Sequence, residues 1–182
     1  FLKKNPGNTV SNLSSSRALK DITEMNGCKH YFSAVGEVNV VEMMKKKNAV
    51  IGGEGNGGII LPELHYGRDA LVGIALFLTY LSKQKIPCSE LRKTYPNYFM
   101  SKEKVKLEKG LDVDYVLDQI KIKYSNEQIN TEDGLKIDFQ DSWVQLRKSN
   151  TEPIVRVYSE AKSQQTADEL SSNFIKEIKL FS

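Results

Sequence analysis

Residues 49–62 read AVIGGEGNGGIILP, and the fold turns on how that run is parsed. It contains the spacing GxGxxG starting at Gly53. In a dinucleotide-binding turn, those glycines open directly into a helix whose N-terminal amides hold a pyrophosphate. Here Ile59, Ile60 and Leu61 follow and Pro62 ends them, so the glycine run is a turn joining two strands. Such a turn is either purely structural or a ligand loop. The missing Cβ atoms let a ligand reach the backbone, and Glu54 and Asn56 are left as exposed hydrogen-bonding groups. A carboxylate in that place accepts from sugar hydroxyls or pairs with an amine.

Working upstream, residues 9–13 form a short β-prone segment. Ser14, Ser15 and Ser16 are N-cap candidates for a helix with apolar positions at Ala18, Leu19, Ile22 and Met25, and Gly27 stops it. A second strand runs through Tyr31 and Phe32 to Val35. Gly36 turns the chain, and Val38, Val41 and Met44 mark one face of a short helix that ends in Lys45, Lys46 and Lys47, where cations offset the dipole. A third strand covers residues 49–51. Strand, helix, strand, helix, strand is the order of parallel strands with crossover helices, hence an α/β layer structure. Downstream of the glycine run, residues 69–83 predict a buried helix covering that sheet. Its uncharged stretch, residues 70–82, is shorter than the roughly 18–20 residues a membrane span needs.

The pattern changes after Pro87. Residues 89–109 hold Pro96 and many charges, which suits a connection entering a first strand and predicts two domains, 1–90 and 91–182. Residues 112–124 place Val113, Val116, Leu117 and Ile120 on one helical face. The period then becomes two: Leu135, Ile137 and Phe139 alternate with polar residues, Asp141 and Ser142 turn the chain, and Val144 and Leu146 alternate again. Residues 154–158 read as another strand. A last helix carries Leu170, Phe174, Ile178 and Phe181, with Thr166 and Glu169 spaced as a capping box. This half is a small α+β domain with an antiparallel sheet.

Composition narrows the class of partner. With 182 residues, 40% hydrophobic and 27% charged, the chain is not disordered. Its 26 basic and 23 acidic side chains leave a net +3, too mild and too scattered to indicate nucleic acid. Cys28 and Cys88 match no metal or redox spacing, and two such thiols either suit a reducing, cytoplasmic setting or form one disulfide. His30 and His65 have no further ligand at zinc spacing, and Trp143 is expected in the core. The opening Phe1, Leu2, Lys3, Lys4 has neither an initiator methionine nor a leader pattern, which predicts a piece cut from a longer chain.

The second polar constellation is Arg147, Lys148, Ser149, Asn150, Thr151, Glu152 and Pro153, followed by Arg156 in the next strand. Two strands joined by this loop bring both arginines to one end of a sheet, with hydroxyl and amide groups between them. Guanidinium forks satisfy the anionic acceptors of a phosphate bidentately and with permanent charge, and loop amides add donors. The bland alternative is a polar loop with two solvated arginines.

Together the two loops resemble the α-D-phosphohexomutase superfamily, which interconverts 1-phospho and 6-phospho sugars: phosphoglucomutase, phosphomannomutase and phosphoglucosamine mutase. The likeness covers almost the whole chain. Residues 147–153 with Arg156 resemble the family's phosphate-binding loop, and residues 53–58 its sugar-recognition loop, with Asn56 where serine is usual. Weaker matches are residues 12–17, 35–39 and 66–70. Gly58 stands where many members carry histidine, no lysine occupies the strand end around Ser14, and the GEGNGG form resembles a phosphoglucosamine mutase or phosphomannomutase branch.

The resemblance implies four domains. A phosphoserine loop lies in the first and a magnesium-binding Asp-Gly-Asp loop in the second, neither of which matches residues of this chain. The chain would then be an incomplete third domain and the fourth, with no catalytic or metal residue of its own. Mg2+ and the remaining domains would belong to the full-length enzyme. Glu54 and Asn56 would read the sugar of a phosphorylated hexose or hexosamine, and Arg147, Ser149, Asn150, Thr151 and Arg156 would hold its non-transferred phosphate. The competing class is a sugar-phosphate or nucleotide-binding module without catalysis.

Overall fold

The structure, a computed structural model, describes residues 1–106, 112–149 and 154–181. The chain forms two compact units, Phe1–Asn97 and Tyr98–Ser182.

The first unit runs β1 (Thr9–Asn12), α1 (Ala18–Met25), β2 (His30–Ser33), α2 (Glu37–Lys47), β3 (Ile51–Gly53), β4 (Ile59–Ile60), α3 (Ala70–Gln84) and α4 (Cys88–Lys93). Its sheet has the order β2-β1-β3-β4. β1 pairs in parallel with β2 and β3, and β4 returns antiparallel to β3, so the glycine run does join two strands. Side chains alternate between the faces of a strand. Val10 and Ile60 therefore meet Val40 and Met44 of α2 in one apolar cluster. On the other face, Thr9 reaches Thr23 of α1 at 2.7 Å, and Ile51 and Ile59 meet α1 and α3 around an apolar cavity of about 510 Å³. The unit is a three-layer α/β/α sandwich with a mixed sheet.

Several local expectations shift. Helix α2, capped by Gly36 (φ 121°), buries Val40 and Met44, while Val38, expected on the apolar face, is exposed. In α1 the Ser16 hydroxyl accepts from the Ala18 N–H, but Met25 is exposed. Helix α3 is capped by Asp69, whose side chain accepts from the Val72 N–H, yet none of its residues is buried. It rests on β4, a strand of two residues at the sheet edge, through the close approach of Gly73 to Ile59. A strand that short covers one side of a helix, so Leu71, Ile74 and Leu78 face outward. Residues 89–93, expected as connection, belong to helix α4, Cys88–Lys93, and lie in this unit.

The second unit runs β5 (Phe99–Lys106), α5 (Val113–Lys123), β6 (Gln128–Asn130), β7 (Leu135–Asp138), β8 (Trp143–Lys148), β9 (Ile154–Ala161) and α6 (Gln164–Leu180). The sheet is antiparallel throughout, in the order β5-β9-β8-β7-β6. The period-two residues Leu135, Ile137, Val144, Leu146, Val155 and Val157 share a core with Val116 and Ile120 of α5 and Phe174 and Ile178 of α6. Burying each such side chain contributes about 1.5–3 kcal/mol. Asp112 caps α5, accepting from Asp114 N–H and Tyr115 N–H. The cap of α6 is Ser163, which accepts from the Thr166 N–H at 3.1 Å, three residues before the expected box. Ser163 is already extended at the end of β9, so the helix begins where the strand stops, and Glu169 instead takes a bond from Gln165.

Trp143 is buried (1% exposed) but on the sheet face opposite the apolar core. Its Nε1–H donates to Glu160 Oε1 at 2.8 Å, and Lys136 Nζ lies 4.2 Å from its ring centroid. Both cysteines are free. Among the described residues, no helix is long and apolar enough to cross a membrane.

Candidate functional site

In an open α/β sheet, the place for a ligand is outside the carboxyl ends of the parallel strands. Glu54 stands there, just past β3. Its side chain is only 5% exposed, a correction to the expectation of an exposed acceptor. The reason is convergence. Oε1 accepts from Asn12 Nδ2 at the end of β1 (3.0 Å) and from the Gly36 N–H between β2 and α2 (3.1 Å), and Oε2 accepts from Arg68 Nη1 (3.3 Å). The three weakly matching stretches of sequence, 12–17, 35–39 and 66–70, are thus gathered on one carboxylate. Gly36 opens α2, so its amide also carries the partial positive charge of a helix N-terminus toward Glu54.

The loop itself is tightly closed. Glu54 N–H donates to Gly58 O, Gly57 N–H to Glu54 O, and Gly58 N–H to Asn56 Oδ1 at 3.1 Å. Gly57 has φ +94°, and a Cβ on Gly53 would collide with the Gly58 carbonyl, so two of the glycines are demanded by geometry. Asn56 is exposed, as expected.

Arg68 was not singled out by sequence, since its partners lie 14 and 31 positions away. Its backbone N–H and Nε–H donate to the two oxygens of Glu37 at 2.8 and 3.0 Å. That backbone bond, and after it the side-chain bond, hold the Glu37 carboxyl below its ordinary range. The Val72 N–H, then His65, do the same for Asp69, whose own N–H donates to Ile59 O at 2.8 Å and so ties residue 68 beside β4. His30 is structural, with Thr9 and Ser11 at its two ring nitrogens.

In the second unit, Arg147 and Arg156 are direct cross-strand partners on β8 and β9. Lys104 of β5 faces Arg156 from the other side. Three cations therefore stand in one row on the face opposite the apolar core. Like charges directly opposite destabilise a sheet. Arg147 is relieved by Asp133, 3.3 Å away, brought close by a turn at Gly134 (φ +77°) where a Cβ would strike the Leu146 carbonyl. Among the described residues, no carboxylate lies within ion-pair distance of Arg156. Ser149 is buried (7% exposed) and its N–H donates to Ile154 O, holding the strands together to the loop. Asn150 and Thr151 lie outside the described residues. Among the described residues, no three His, Cys, Asp or Glu side chains gather as a metal site.

Two family models match the chain: phosphoglucomutase/phosphomannomutase, alpha/beta/alpha domain III, over residues 1–98, and the phosphoglucomutase/phosphomannomutase C-terminal domain over residues 101–177. A phosphoglucosamine/phosphogalactosamine mutase of Sulfurisphaera tokodaii is 34% identical over 88% of this chain and 36% of its own length. A phosphoglucomutase/phosphomannomutase of Thermococcus kodakarensis is 36% identical over 92% of this chain and 37% of its own. The crystal structure of a phosphoglucomutase/phosphomannomutase family protein from Burkholderia thailandensis shares the fold with TM-score 0.79 and 23% identity, over 99% of this chain and 39% of that one. The chain thus spans well under half the length of the curated relatives it matches. On the strength of both matched models, the chain belongs to the phosphoglucomutase/phosphomannomutase family and comprises residues of its domain III and C-terminal domain.

Proposed function

We propose that this chain is the sugar- and phosphate-binding part of a cytoplasmic phosphosugar mutase that interconverts hexose or hexosamine 1-phosphate and 6-phosphate, nearest in kind to a phosphoglucosamine mutase or phosphomannomutase. The observation that carries the reading is the cation row Arg147, Arg156 and Lys104, in which, among the described residues, a single carboxylate, Asp133, offsets three positive charges. Such a row is stabilised by an anion with several acceptors, and a phosphate monoester has that chemistry.

In this reading Arg147 and Arg156, with Ser149, Asn150 and Thr151, hold the phosphate that is not being transferred, while the loop of Glu54 and Asn56 faces the sugar. The phosphoserine, the magnesium loop and the transfer step belong to further domains of the whole enzyme. The contribution of these residues is positioning, which for phosphoryl transfer is a large part of catalysis. Because the intermediate must turn end for end, both loops have to accept two orientations of a bisphosphorylated sugar.

The test is calorimetric titration of the full-length protein with glucose 6-phosphate, glucosamine 6-phosphate and mannose 6-phosphate, with and without Arg156→Ala. Loss of binding to all three in the variant supports the reading. Undiminished binding removes the phosphate role of this loop.

A further inference from the structure

Glu54 is the obvious sugar reader from sequence, but it is nearly covered, and three of the roughly four acceptor sites of a carboxylate are already taken by Asn12, Gly36 and Arg68. The accessible charged group of the cluster is Arg68, whose side chain is 44% exposed. Resting on the proposed mutase function, we propose that Arg68 contacts the sugar beside Glu54, reading a hydroxyl oxygen through its Nη groups, and that Glu37 is a positioning residue for it.

Four observations carry this. The guanidinium is held from two directions, Nε by Glu37 and Nη1 by Glu54, so its plane is fixed without a ligand. Among the described residues, Nη2 has no acceptor, although a guanidinium offers five N–H donors. The side chain crosses the glycine loop where a side chain on residue 58 would stand: a Cβ on Gly58 would lie 2.6 Å from Arg68 Cδ. A glycine there is what admits the arginine to the loop. Finally, Glu37 and Glu54 against Arg68 sum to one net negative charge, with Asp69 and its partner His65 close by. That balance repels a phosphate dianion and suits a neutral hydroxyl, which accepts from Arg68 and donates to the remaining lone pair of Glu54. The subsite is therefore a hydroxyl reader, in contrast to the cation row of the second unit.

The experiment uses the full-length protein, titrated with glucose 6-phosphate, its 2-, 3- and 4-deoxy analogues, and inorganic phosphate. The unaltered protein is expected to bind at least one deoxy analogue about 10- to 100-fold more weakly than the parent sugar, the size of one lost hydrogen bond to a charged group. Arg68→Met keeps the length of the side chain and should erase that difference while leaving inorganic phosphate affinity unchanged. Arg68→Lys, with a donor but no fork, should restore part of it. If Arg68→Met is unfolded by circular dichroism, Gly58→Ala displaces the arginine without removing a charge and should likewise flatten the series. Discrimination retained in the folded variant overturns the assignment of Arg68 and leaves the mutase reading standing. Failure of the unaltered protein to bind any of the sugar phosphates overturns both. A role in stability alone would lower the melting temperature with the deoxy series unchanged, and that result also counts against it.

Discussion

The strand-end cluster of the first unit and the cation row of the second solve opposite electrostatic problems. Around Glu54 the charges cancel nearly within the protein: a buried carboxylate is met by an amide, a helix-opening N–H and a guanidinium. Along β8, β9 and β5 they do not, because Arg156 stands between Arg147 and Lys104 with, among the described residues, one acid, Asp133, at the far end. A site that is internally satisfied is rigid before its ligand arrives and selects by shape and hydrogen-bond direction. A site left with surplus charge of one sign selects by charge and gains most when the ligand binds.

That contrast breaks most readily at Arg156. Arg156→Ala should weaken binding of hexose 6-phosphate by about 2–5 kcal/mol, in the range for truncating one member of a hydrogen-bonded charge pair, while denaturant stability of the chain holds or rises because a like-charge pair is relieved. Calorimetry and urea titration on the same samples read both numbers. A loss of stability instead would make the row a structural device.

Next in size, Asn12→Leu should destabilise the first unit by about 1–3 kcal/mol, since Glu54 Oε1 loses a buried donor. A shift of the urea midpoint without change in slope is the expected signature. Stability unchanged would mean that water replaces the amide and that the cluster is less closed than the 5% exposure of Glu54 implies.

As a control outside both sites, Ser163→Ala removes the α6 cap and should cost about 1 kcal/mol with ligand affinity untouched.

The smallest effect is with pH. Glu37 is held below its ordinary value of 4.5 by Arg68. A depressed carboxylate contributes stability that is complete above the unfolded value and is lost as the pH falls through the lower folded one. The Arg68 clamp should thus hold at neutral pH and loosen only in that acid window. Arg68 side-chain resonances followed by NMR from neutral pH downward would register it, and Glu37→Gln should remove the step. In the second unit the window is at the other extreme. Burial, then the hydrogen bond to Glu177, pushes the Tyr124 hydroxyl up to about 12, so its contribution is intact below pH 10 and disappears as the pH rises through the folded value.

How much of this was legible in advance differs between the units for a physical reason. In the second unit, period-two alternation from Leu135 to Leu146 named the core-facing side chains directly, and the pairing of Arg147 with Arg156 followed from two strands joined by a short loop. Local spacing encodes local geometry there. In the first unit the same method placed the strands and the glycine turn but misjudged exposure. Helix α3 is apolar along its length and yet uncovered, because burial depends on how wide a sheet lies beneath it. Glu54 sits in a polar loop and yet is enclosed, because the ends of β1, β2 and β3 converge on it. Helix ends slipped by one to three residues where two cap candidates competed, as at Ser163 and Thr166.

By itself, then, the sequence determined most of the strands and helices but not α4 or β6, that the glycine run is a turn between strands, and that two arginines flank one short loop, because periodicity and turn chemistry act over a few residues. Only the tertiary structure decided that Glu54 is buried, that Arg68 lies across Gly58 between two carboxylates, and that Lys104 completes a row with Arg156. Those relations join residues 10 to 52 positions apart, and contacts at that range are set by how strands align in a sheet, which no local pattern carries.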